Sequence, residues 1–93
     1  MVNIFEINDK TNRKIRLTDN SWKHISTEHP YINLEEIQRA LQKPTTIKSS
    51  KYKDDVCWYY LFNKILKKYL LVSVRYLNGE GFIITAFYVR NLK

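Results

Sequence analysis

The spacing of apolar positions changes period twice along the chain. Ile4-Phe5-Glu6-Ile7 and Lys14-Ile15-Arg16-Leu17 are short runs of strand character, and the polar stretch Asn8 to Arg13 between them predicts a hairpin. The spacing then becomes helical. Thr18 or Asp19 is placed to cap a first helix that runs to about His29 and is stopped by Pro30. Asn33, with Glu36 three residues on, has capping-box spacing and opens a second helix. Along it Leu34, Ile37, Ala40 and Leu41 form one apolar stripe, while Glu35 and Arg39 stand at i,i+4 on the outside. Pro44 follows its end.

Beyond Pro44 the period is two. Thr45 to Ser49 reads as a short strand. Val56 to Phe62, Tyr69 to Leu77 and Phe82 to Val89 read as three longer ones, dense in aromatic and β-branched residues. Asn63 to Lys68 and Asn78-Gly79-Glu80-Gly81 connect them. The order β-β-α-α-β-β-β-β predicts an α+β fold in one domain spanning 1–93. An N-terminal β-hairpin and two helices pack on one face of a mainly four-stranded antiparallel sheet. The last three strands are apolar on both faces. Either they are central, or part of the second face meets a partner, for which a homodimer would suffice.

Composition adds a direction. Sixteen Lys and Arg against nine Asp and Glu give a net charge of +7. In so small a chain this favours polyanionic partners, RNA or an acidic protein among them. Seven tyrosines, four phenylalanines and two tryptophans supply large buried areas to a core that length alone would leave modest. The single Cys57 leaves no internal disulfide or multi-cysteine zinc site and suits a reducing, cytoplasmic setting. MVNIFEINDK alternates like a strand, and no apolar run approaches ~18 residues. Neither a signal peptide nor a membrane partner is expected.

Candidate chemistry begins with WKHISTEHPY, residues 22 to 31, which holds both histidines. At roughly 100° per residue from Trp22, Ile25 and His29 fall on one stripe and His24 points to the flank, one turn before Glu28. The histidines are five apart rather than four and lack a third ligand, so no metal site is expected. Arg75 interrupts the apolar run Leu70 to Val74, where a guanidinium needs either an anion or an edge position for its stem. Thr85 and Tyr88 are the polar side chains of the last strand. Ser73, Arg75 and Thr85 share a face with a three-residue hairpin loop and separate with a two- or four-residue loop, a choice the sequence leaves open. Lys51 and Lys53, beside Tyr52, Trp58, Tyr59 and Tyr60, are candidates for substrate binding, although most of these rings are expected in the core. Arg90 and Lys93 follow the last strand, and Lys64, Lys67 and Lys68 sit in a turn; such positions are usually just solvated, the alternative being a phosphate-tracking rim. There is no glycine-rich phosphate loop, nucleophile elbow or two-metal carboxylate cluster.

Taken together, Trp22-x-His24-Ile25, Glu28-His29-Pro30, Leu41-Gln42-Lys43-Pro44, Tyr59-Tyr60, Leu71-Val72-Ser73-Val74-Arg75 and Phe82-Ile83-Ile84-Thr85-Ala86-Phe87 form a pattern. It resembles the Barnase–EndoU–colicin–RelE superfamily of small metal-independent ribonucleases, in particular its phage and mobile-element branch, over about residues 14 to 90. The resemblance implies an endoribonuclease without cofactor, often a toxin restrained by an acidic antitoxin or immunity protein. RNA carries its own nucleophile, the 2′-hydroxyl, so such an enzyme needs a base, an acid and cationic stabilisation of the phosphorane. By matching motif, the resemblance makes His24 and His29 the acid and base, Arg75 the phosphate clamp and Thr85 a donor to the same phosphate. No catalytic glutamate is apparent in these motifs.

Overall fold

A computed structural model describes residues 2–50 and 53–92. The elements are β1 (Asn3–Asn8), β2 (Lys14–Thr18), α1 (Asp19–Glu28), α2 (Leu34–Gln42), β3 (Thr46–Ser49), β4 (Val56–Asn63), β5 (Lys68–Leu77) and β6 (Glu80–Val89). Their order is the one the hydrophobic pattern predicts. Thr18 caps α1 by accepting from the Ser21 N–H, and Asn33 caps α2 by accepting from the Glu36 N–H at 2.8 Å. Among the described residues no helix is long and apolar enough to cross a membrane.

The sheet differs from the expected four-stranded antiparallel one. It has six strands in the order β1-β2-β6-β5-β4-β3 and is mixed, because β2 joins β6 in parallel through Ile15–Gly81 and Arg16–Phe82. The N-terminal hairpin is therefore an edge of the sheet rather than a separate layer. Gly81 permits the junction. A Cβ there would lie 2.9 Å from Val74 Cγ1 and 3.0 Å from Ile15 Cγ1, inside contact distance. Nothing local in the sequence marks a parallel pair joining residues so far apart.

The helices cover one face. Ile25, Ile37, Ala40 and Leu41 pack there against Ile15, Leu17, Tyr59, Leu70, Val72, Val74, Ile83 and Ala86. On the opposite face Val56, Tyr60 and Leu71 are also buried, with Tyr69 set edge-on to Tyr60 at 6.2 Å. Of the two explanations for strands apolar on both sides, β5 and β6 take the central positions.

The β1–β2 turn is tied down far from its own strands. The buried Asp9 carboxylate accepts from the Thr11 and Arg13 N–H groups at 2.9 and 2.8 Å and from the Tyr59 hydroxyl. Tyr59 in turn accepts from Arg13 Nη2 at 3.1 Å and hydrogen-bonds the Tyr76 hydroxyl. The Arg13 guanidinium lies 4.1 Å from the Tyr76 ring centre, a cation–π contact. Burial works against the Asp9 charge, yet these hydrogen bonds and Arg13 hold its carboxyl below the usual range. Burial and the bond to Asp9 push the Tyr59 hydroxyl far up.

Candidate active site

The hairpin between β5 and β6 settles the face question in an unexpected way. Its loop is the two residues Asn78 and Gly79, both at positive φ, as a primed turn requires. By itself that register would part Arg75 from Thr85. A bulge at Ile84 then inserts one residue, so that Ser73 pairs with Thr85 while Val74 pairs with Ile83. Ser73, Arg75 and Thr85 consequently share the face opposite the helices, since Val72, Val74, Ile83 and Ala86 occupy the helix side.

His29 caps the C-terminus of α1, its N–H donating to Ile25 O at 2.7 Å. Pro30 prevents the helix from continuing, which leaves the half-buried imidazole beside β6 rather than on an exposed turn. Its ring lies 6.1 Å from Phe87, a neighbour of Thr85 on the same face. Nδ1 is held by the Tyr31 hydroxyl at 3.1 Å, and among the described residues Nε2 has no hydrogen-bond partner. Tyr31 stacks on Tyr88 at 5.8 Å between ring centres. The Tyr88 hydroxyl donates to Glu36 Oε2 at 2.6 Å, and burial together with that bond pushes it up to about 12. His29, Tyr31, Tyr88 and Glu36 thus form one continuous set joining the end of α1, the start of α2 and the end of β6.

The other expected site residues are distributed around this set. His24 is exposed on the flank of α1, with Nε2 3.4 Å from Glu28. Thr85 lies between Phe87 and the Arg75 level of the sheet. Arg75 donates from Nε to Asp55 at 2.9 Å, and that guanidinium holds the Asp55 carboxyl below the usual range. Along the sheet it is offset from Phe87, the strand residue beside His29. Phe87 pairs with Leu71, and four residues of strand put Arg75 about 13 Å farther along. Lys53 and Arg90 are exposed; Lys51, Tyr52 and Lys93 lie outside the described residues.

Two participants escape the sequence reading. Glu36 reads there only as a capping residue, because its partner Tyr88 is 52 positions away. Tyr31, 60% exposed after Pro30, carries no role in the sequence pattern. The two-residue spacing of His29 and Tyr31 was the available signal. Compared with known protein families, curated proteins and solved structures, the chain matches none of them.

Proposed function

We propose that the protein is a metal-independent endoribonuclease, of the toxin type paired with an acidic inhibitor, in which His29 is the proton-transferring group. The observation that carries this reading is the state of that imidazole: anchored through Nδ1 by Tyr31, beside Phe87, with Nε2 unengaged among the described residues, in a chain of net charge +7. A ring held through one nitrogen with the other open to substrate is what general acid–base catalysis asks of histidine.

The reaction follows from RNA chemistry. His29 Nε2 takes the proton of a 2′-hydroxyl, whose oxygen bonds to the adjacent phosphorus while the bond from phosphorus to the 5′-oxygen breaks. A proton returns to that oxygen and a 2′,3′-cyclic phosphate remains. Tyr31, hydrogen-bonded to Nδ1 and largely exposed, is the hydroxyl placed to take part in the return. Thr85 and Arg75 lie farther along the same face, so their role is to hold phosphates flanking the scissile one. His24, paired with Glu28 on the outer flank, is assigned no proton transfer.

Incubating the purified chain with RNA in EDTA tests the reading. Cleavage is expected, reduced at least a hundredfold in His29→Ala and little changed in His24→Ala. Intact RNA, or cleavage at an undiminished rate by His29→Ala, overturns it.

A further inference from the structure

Exposed turns favour Gly, Asn, Asp, Ser and Pro, and the turn between β4 and β5 departs from that rule. Lys64-Ile65-Leu66-Lys67 joins the paired residues Asn63 and Lys68 with two aliphatic side chains at its tip. Ile65 is 92% exposed and Leu66 49%. Phe62, itself exposed, and Tyr69 stand at the base of the turn with ring centres 5.1 Å apart. Lys64, Lys67 and Lys68 surround the tip, all three exposed.

One residue closes the turn. Asn63 Oδ1 accepts from the Ile65 and Leu66 N–H groups, both at 3.0 Å, and Asn63 O accepts from the Lys67 N–H at 2.8 Å. Lys67, at φ 55°, turns the chain back into β5. The N–H groups of the tip are therefore satisfied internally, which lowers the cost of taking them out of water. A second copy of this +7 chain would set like charges against these lysines. RNA would reward the lysines but not the aliphatic tip, since bases stack on rings. An anionic bilayer matches both features, the acyl boundary taking aliphatic side chains and the headgroups taking cations. We propose that this turn docks the protein on an anionic lipid surface, Ile65 and Leu66 entering the interface while Lys64, Lys67 and Lys68 meet the headgroups. The lack of a long apolar run argues against a spanning segment, and a turn lying on the surface needs none. Such docking is independent of RNA cleavage.

Cosedimentation of the full chain with vesicles tests the assignment, using phosphatidylcholine alone and an equal mixture of phosphatidylcholine and phosphatidylglycerol. Binding to the mixed vesicles should be at least tenfold tighter. Ile65→Asn should weaken it at least tenfold, and Lys64→Gln or Lys68→Gln about fivefold each. Ile65 faces solvent, so Ile65→Asn should keep the parent melting temperature, and Ile65→Leu should bind as the parent does. No binding to the mixed vesicles overturns the proposal. So does binding undiminished in Ile65→Asn, which would reduce the contact to a diffuse attraction of the +7 chain. RNA binding lost in Lys64→Gln and Lys68→Gln, with no vesicle binding by the parent, would assign the turn to RNA and overturn it equally.

Discussion

At the scale of single residues, Asp9 and Tyr59 contribute most that is not visible locally. Their bond joins positions 50 apart and fixes the β1–β2 turn across the end of the sheet. Removing the carboxylate in Asp9→Ala leaves two turn N–H groups and a buried hydroxyl without their acceptor. About 3 kcal/mol of stability should be lost, measured by urea denaturation. The pH dependence has two sides. Because the folded Asp9 carboxyl lies below its usual value near 3.8, its contribution is present above that value and disappears as pH falls through the depressed one. Tyr59 and Tyr88 are raised, Tyr88 from 10.0 to about 12, so theirs is intact below pH 10 and disappears as pH climbs through the folded values. Melting temperature should therefore plateau between those limits. In Tyr88→Phe the alkaline loss should shrink; an unchanged alkaline limb would contradict the assignment.

At the scale of elements, the β2–β6 junction and the Ile84 bulge decide what the site can be. Gly81→Ala drives a methyl into Val74, Ile15 and Tyr76, and should cost about 1–3 kcal/mol by thermal or urea unfolding. A neutral result would mean the parallel pairing is looser than described. Element order, both helix caps and strand limits within a residue or two were legible from period and capping chemistry, since Thr18, Asn33 and Asn78-Gly79 act on their immediate neighbours. The parallel pairing was not legible, because only two residue pairs carry it and both are distant in sequence. Nor was the bulge, which offsets the register of the two-residue loop and returns Thr85 to the face of Arg75. The offset of Arg75 from Phe87 along the sheet was hidden for a related reason. Sequence spacing shows which residues share a face but not how far apart they lie along it.

At the scale of the whole molecule, a +7 chain carries Arg75 on the sheet face opposite the helices, His29 beside β6, and exposed Lys53 and Arg90. Among the described residues Arg75 is ion-paired with Asp55 on an exposed surface, so Arg75→Ala should leave stability nearly unchanged. It should weaken RNA binding and lower the slope of log affinity against log salt by about 0.7, one single-strand phosphate contact. An unaltered slope would remove Arg75 from the RNA path. The central claim is that His29 activates a 2′-hydroxyl. Its most direct measurement compares an RNA oligonucleotide with the same oligonucleotide carrying a single 2′-deoxy substitution at the cleaved position, in EDTA, with products separated by mass. The expected result is a 2′,3′-cyclic phosphate from the RNA and an intact deoxy-substituted strand, with RNA cleavage by His29→Ala at least a hundredfold lower. Cleavage of the deoxy-substituted strand at that position, or an unaltered cyclic phosphate yield from His29→Ala, would contradict it.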